Sequence, residues 1–252
     1  MAVELVVDEL HPGTNEQIWL GASCLAGLRP LMESRPRRLV VVAPHPDDEV
    51  LGAGGLLQRM ERARVETVVI AVTDGEASHP GARLVGCDLS TTRALERRVA
   101  LNRLGCRSVR VSQLRFPDGA VAEQVDRLTD LLSCLLRPDD LCVSPWRSDG
   151  HPDHDACGRA AAAAAASIRV PVLEYLVWAW HWANPENTEV PWRHCRRLEL
   201  ERRQTARKRW ATYAFTSQIR PFPHDHDGRP LLPDSVLRRF WRSFEVFVDG
   251  SP

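Results

Sequence analysis

The stretch "RRLVVVAPHPDDEVLGAGGLL", Arg37 to Leu57, decides the fold. Five consecutive apolar residues, Leu39 to Ala43, run into a proline-flanked histidine and then three acids. A β-branched run with no polar alternation reads as a strand buried on both faces, the habit of a parallel sheet. "DEVLGAGGLLQRMERA" is helical in length, and "ETVVIAVTDG" is a second buried strand. "TTRALERRVALNRLGC" carries a helical period through Ala94, Val99, Leu101 and Leu104, with Gly105 placed to end it. A third strand, "VRVSQLRF", runs into the turn "PDG" at Pro117–Gly119. A helix over "EQVDRLTDLLSCLL", a fourth strand "DLCVSP", a helix through the alanine run 160–166 and a fifth strand "VPVLEYLVWAW" complete the rhythm. Apolar strands alternating with helices predict an α/β fold whose parallel sheet is covered on both faces.

Ligands of such sheets bind beyond the carboxyl ends of the strands, where the strand order reverses. The polar residues that follow the strands are therefore the candidates for function: His45–Glu49, Thr73–Glu76, Phe116–Gly119 and Trp146–His154. Two clusters stand out among them, His45-Pro46-Asp47-Asp48-Glu49 and His151-Pro152-Asp153-His154. Taken alone, the first reads equally well as a solvated turn or a helix N-cap. Two imidazole–carboxylate clusters at the ends of two strands of one sheet instead match the ligand types of zinc and related divalent metals. A catalytic zinc site takes three protein ligands and keeps one position open for water. A further carboxylate can take a proton from that water, and a spare histidine can stabilise or protonate the reacting group.

These residues carry a resemblance. "APHPDDEVLGAGG", "TDGE", "RALE", "FPDG" and "HPDH", in that order, resemble the LmbE/PIG-L family of zinc-dependent N-deacetylases, and "KRWATYAFTSQ" extends the match to near Gln218. The resemblance implies a Rossmann-like three-layer αβα fold with a mostly parallel sheet and a metal site of His45, Asp48 and His154, with Asp47 as general base. It further implies that His151 stabilises the tetrahedral intermediate or protonates the leaving amine, with Asp153 orienting its ring. Arg93 and Asp118 fall where family members hold sugar hydroxyls, and Glu49 is read as support behind the metal. Zn2+ is the implied cofactor, with Fe2+ or another divalent metal as the alternative. One departure stands out: some members carry a tyrosine shortly before the second motif that helps bind the reacting carbonyl. Here the stretch is "PWRSDGHPDH", which leaves Arg147, Asp149 or no side chain for that role.

The implied activity is removal of an acetyl or acyl group from the amide nitrogen of an N-acetylglucosamine-type amino sugar or its conjugate, a small-molecule partner. Cleavage of a thiol-sugar amide is the nearest variant, and an inactive carbohydrate-binding protein the alternative of another class. The balance of 33 basic and 33 acidic residues argues against nucleic acid or an anionic membrane surface as partner. The seven cysteines form no CxxC pair, and no signal peptide or long apolar run is seen, which predicts a cytoplasmic protein with reduced thiols. No internal repeat or boundary interrupts the chain. One domain is expected over 1–252, with an extension at 1–36, the motif-bearing core at 37–218 and a C-terminal segment at 219–252.

Three weaker signals complete the reading. Gly52, Gly54 and Gly55 do not form a dinucleotide fingerprint, because Leu57 replaces its last glycine and three acids would repel a pyrophosphate. They are read as packing residues. The tryptophan-rich stretch 175–192 is expected to pack in the core, or else to offer Trp180, His181 or Trp182 as a wall of the substrate cleft. "PHDHDG", 223–228, is read as a polar surface loop.

Overall fold

A computed structural model describes residues 13–31, 35–79, 88–186, 188–221 and 229–250. Its eight strands belong to one sheet: β1 (Arg29–Pro30), β2 (Arg38–Ala43), β3 (Glu66–Ala71), β4 (Arg110–Gln113), β5 (Asp140–Pro145), β6 (Val172–Tyr175), β7 (Cys195–Glu199) and β8 (Phe244–Asp249). Their spatial order is β1-β7-β8-β6-β5-β2-β3-β4. Every pairing is parallel except the two made by β8, which lies antiparallel between β6 and β7. The expectation of an α/β fold with a mostly parallel sheet therefore holds.

The alternation of β2 divides the core. Leu39, Val41 and Ala43 face a cluster that includes Val50, Leu57, Ala100 and Leu104, while Val40 and Val42 face Leu128, Leu132 and the alanines of the helix Pro152–Ile168. Small alanine side chains let that helix lie close to the sheet. On the other face, Gly52 does the same for the helix Asp48–Arg62, since a Cβ there would sit 2.2 Å from the Tyr175 ring. The packing reading of the glycines is right at this position.

Chain order places the site. From β2 the chain moves outward through β3 to β4, then returns to β5 on the other side of β2. Strand order thus reverses between β2 and β5, and the loops after these two strands carry the two histidine motifs. A crevice at such a switch point is where open α/β sheets take their ligands.

Several local expectations differ from the structure. The fifth strand ends at Tyr175, and "AWHW" forms a short helix, Ala179–Trp182, because the Asp149 carboxylate draws in the N–H groups of Val177, Trp178 and Ala179. The charged segment that follows divides, residues 195–199 forming β7 and a helix running over Arg202–Thr212. Arg197 on β7 is half-buried, its guanidinium 3.8 Å over the Phe244 ring. In the helix Leu89–Leu104, Val99 is exposed, whereas Arg93, Glu96 and Arg97 are buried. Gly105 ends this helix in the left-handed region at φ 84°, as expected. The described part of the 1–36 extension forms two short helices, Glu16–Leu20, capped by Asn15, and Ser23–Ala26. Among the described residues no helix is long and apolar enough to cross a membrane.

Candidate active site

The helix Asp48–Arg62 begins immediately beyond β2, so its first turn projects Asp47, Asp48 and Glu49 over the sheet's carboxyl edge. His45 turns back on this end, its backbone N–H donating to Asp48 Oδ2 at 2.9 Å. The second motif is delivered in the same way. His151 is the N-cap of the helix Pro152–Ile168, and its ring Nδ1 accepts the Asp153 N–H at 3.2 Å. His154, one turn in, is fully buried beneath it.

Three donor atoms from these two motifs converge. His45 Nδ1, Asp48 Oδ2 and His154 Nε2 lie 3.3 Å from one another on all three sides. A regular tetrahedron with that edge has its centre about 2.0 Å from each corner, the length of a zinc–imidazole bond. Two neutral-capable imidazoles and one carboxylate, set at this spacing, fit a divalent metal with one position left open. A second triad, His45, His151 and Asp153, shares His45 but offers its other nitrogen side.

The far nitrogen of each of the two converging histidines meets carboxylate. His45 Nε2 faces Asp118 Oδ1 at 3.1 Å and Asp153 Oδ2 at 3.3 Å, and His154 Nδ1 faces Asp149 Oδ2 at 2.9 Å. Such partners fix which nitrogen keeps the proton and which is free to bind metal. They also show in the proton affinities. Burial works against charging His45, but Asp118, Asp153 and Asp48 more than offset it and hold the ring well above its ordinary pKa. Burial likewise opposes charge on His154, yet Asp48 and Asp149 push it up to about 9. Burial would raise Asp48, but His154 and His45 keep it well below the usual carboxylate range. Acid exceeds base here, which is the electrostatic condition for holding a cation.

Asp47 is buried at the mouth of the site, and Arg93 Nη2 lies 3.3 Å from its Oδ2. Burial raises its pKa, and the Arg93 charge works against that rise. His151 is pushed down to about 3, by burial first and then by His45 and His154, so its ring is neutral. With Nδ1 accepting a backbone N–H, the neutral ring carries its proton on Nε2. Asp47, Asp48, His45, His151, Arg93 and Asp118 all line a cavity of about 310 Å³ whose other wall is Leu51, Val177, Trp178 and Leu232.

Five residues have surroundings that the sequence did not show. Glu49 is buried against Arg97 Nε at 3.2 Å and makes no hydrogen bond to the three converging residues. Its pKa rises to about 7, by burial chiefly and against the Arg97 charge. The Asp153 carboxylate does not turn to His151. It accepts the N–H groups of Gly119 at 2.8 Å and Val121 at 3.1 Å, and faces His45. Asp118 lines the cavity but also holds His45 and the Ala77 N–H. Asp149, a candidate for binding the reacting carbonyl, is fully buried and wholly engaged with His154 and the 177–179 backbone, so it cannot reach a substrate. Arg147 pairs with Glu174 at 2.8 Å and does not line the cavity either.

Of the tryptophans, Trp180 packs edge-on against Trp19 at 5.0 Å in the core. The ring in the cavity wall is Trp178, lying 6.2 Å from His151 at 20° to it. Gln218 lines the cavity as well, and sequence reasoning passed over it as a site residue. The loop 223–228 lies outside the described residues.

Comparison with known proteins agrees with this geometry. The profile of the family PIG-L, described as GlcNAc-PI de-N-acetylase, matches residues 40–165, which contain both histidine motifs. The chain belongs to the PIG-L family. It is 24% identical over 126 residues to a diacetylchitobiose deacetylase of Thermococcus kodakarensis, covering 48% of this chain and 46% of that protein. It is 28% identical to a probable N-acetyl-alpha-D-glucosaminyl L-malate deacetylase 2 of Bacillus cereus, covering 52% and 62%. To 1D-myo-inositol 2-acetamido-2-deoxy-alpha-D-glucopyranoside deacetylase 1 of Saccharopolyspora erythraea it is 30% identical, covering 53% and 55%. The chain spans about half the length of the curated relatives it matches. Among solved structures, the A40926 pseudoaglycone deacetylase Dbv21 shares the PIG-L chain's fold with a TM-score of 0.61 at 20% identity, over 86% of this chain and 97% of that one. The conserved protein TT1542 from Thermus thermophilus matches with a TM-score of 0.52 at 27% identity, over 72% and 79%.

Proposed function

We propose that this PIG-L protein is a metal-dependent hydrolase that removes an acetyl or acyl group from the amide nitrogen of an N-acetylglucosamine-type amino sugar or its conjugate. The observation that carries the reading is the triangle of His45 Nδ1, Asp48 Oδ2 and His154 Nε2, 3.3 Å on each side, with Asp47 and His151 facing the same cavity. The three curated relatives, named for deacetylation of GlcNAc-type compounds, support the substrate class.

His45, Asp48 and His154 hold the metal, with Zn2+ as the first candidate from the two-nitrogen, one-oxygen donor set. A divalent ion held there would polarise the amide carbonyl and lower the pKa of a water to roughly 7. Asp47 takes the proton from the attacking water, and Arg93 holds its carboxylate in the ionised, oriented state that this requires. His151 presents Nε2–H to the carbonyl oxygen as negative charge develops there, the role of an oxyanion donor. As the C–N bond breaks, the proton held by Asp47 passes to the departing amine, and acetate and the free amine leave. Asp118 and Arg93 offer an acceptor and a donor to sugar hydroxyls, while Trp178, Leu51 and Leu232 offer apolar surface to the acyl group or the ring faces.

The test is acetate release from a panel of N-acetylglucosamine-bearing compounds by zinc-loaded and chelator-treated protein. Release by the loaded protein alone is the expected result. Undiminished release by Asp47→Asn would sink the mechanism.

A further inference from the structure

One buried carboxylate joins the metal ligands to the aromatic wall of the cavity. Asp149 Oδ2 accepts from His154 Nδ1 and from the Trp178 N–H, both at 2.9 Å. Its Oδ1 accepts the N–H groups of Val177 at 2.9 Å and Ala179 at 3.0 Å. Its backbone carbonyl accepts Trp182 Nε1–H at 2.7 Å. The next residue, Gly150, stands at φ 94° with Trp182 Nε1 only 2.6 Å from where a Cβ would be, so the loop is pressed against that ring. No other described carboxylate touches both a ligand histidine and the segment that carries Trp178.

We propose that Asp149 is a positioning residue with two outputs: it locks His154 with Nε2 free for the metal, and it fixes the turn that presents Trp178 to the substrate. The inference rests on the His45–Asp48–His154 reading of the metal site. It replaces a role in carbonyl binding with one in assembly. The carboxylate has four lone-pair positions, and the structure fills them with three backbone N–H donors and one imidazole N–H. An amide cannot do the same. Its single oxygen can serve the turn only if the NH2 group points at His154 Nδ1. That nitrogen must then accept, and the ring's proton moves to Nε2, the nitrogen facing Asp48 and His45.

The test compares Asp149→Asn with Asp155→Asn, which alters the same loop through the Gly150 N–H and whose carboxylate is not the hydrogen-bond partner of the His154 ring. Zinc affinity is read by competition with a chromophoric chelator, and substrate handling by KM and kcat separately. Asp149→Asn is expected to weaken zinc about 10- to 100-fold, as loss of a histidine's carboxylate partner does. It should also raise KM at saturating zinc, as Trp178→Ala should, while Asp155→Asn leaves zinc affinity within about twofold, the scatter expected of a change outside the ligand network. A folded Asp149→Asn with wild-type zinc affinity would overturn the proposal. Wild-type protein that binds no zinc would overturn instead the metal reading on which it stands. If Asp149→Asn does not fold, nitrogen-15 NMR of histidine-labelled, zinc-loaded wild type decides. A His154 ring protonated at Nδ1 and shifted at Nε2 supports the lock, and a metal-bound Nδ1 refutes it.

Discussion

The helix Asp48–Arg62 meets buried charge at two places, and they are built in opposite ways. In its middle, Ala53 leaves helical geometry at φ −135°, and the N–H groups of Gly55 and Leu56 donate to Glu245 at 2.6 and 3.0 Å. Lys208 closes the cluster, its Nζ 2.5 Å from Glu245 Oε1. One acid meets one base, and two backbone N–H groups share its carboxylate. At the N-terminal end, Asp47, Asp48, Asp118, Asp149 and Asp153 gather around two histidines and Arg93, and three donor atoms point at one another. Buried charge that is locally neutral and saturated serves the fold. Buried charge that converges with acid in excess is arranged for something not made of protein.

Substitutions at each end should therefore fail differently. The largest effect belongs to Asp47→Asn, which should slow acetate release about 10²- to 10⁴-fold. Metal content, measured on the same preparation, should be unchanged, since Asp47 is not one of the three converging residues. At the closed end, Lys208→Met should cost about 3–5 kcal/mol of stability by leaving Glu245 buried without its partner. A denaturant midpoint reads that loss, and the surviving folded protein should still bind metal. If Lys208→Met instead lost metal with little change in stability, the division between the two ends would be wrong. A smaller cost, about 1–3 kcal/mol, is expected for Gly52→Ala, whose added methyl meets the Tyr175 ring. Thermal denaturation checks it. Smallest is the effect of thiol alkylation on activity. Cys157 is buried near the N-terminal end of the helix Pro152–Ile168, and burial, then Asp153 and Asp48, hold its thiol well above the ordinary range. Iodoacetamide on native protein should label exposed Cys134 and leave Cys157 and Cys142 unmodified, with acetate release intact. Peptide mass spectrometry reads the labelling.

Much of this frame is visible in local sequence because it depends on local chemistry. An unbroken β-branched run such as Leu39–Val42 has few options other than a covered strand, and the polar residues after it must then lie at the sheet edge. What the sequence hides depends on distant partners. β8 enters the sheet between β6 and β7 from the end of the chain, a pairing that no local pattern encodes. Arg93, Glu96 and Arg97 form a buried stripe on the helix Leu89–Leu104 because Asp47, Ser217 and Glu49 meet them there. A period counted on apolar residues picks Val99, which the structure exposes, and passes over them. The tryptophan-rich segment reads as core or else as a cleft wall, and its strand ends at Tyr175, sooner than composition suggests. Trp178 therefore faces the cavity, while Trp180 joins the core. Asp149 carried one local signal, a carboxylate just upstream of a ligand motif, and its meaning emerged only with the contact to His154.

The central claim is that the convergence of His45, Asp48 and His154 holds the metal on which amide hydrolysis depends. Metal content and acetate release, measured together on wild type and His45→Ala after dialysis against zinc, test it most directly. One equivalent of zinc bound by wild type and lost from His45→Ala, with acetate release lost in parallel, is the predicted result. Full zinc content in folded His45→Ala, or acetate release that survives removal of the metal, would contradict it.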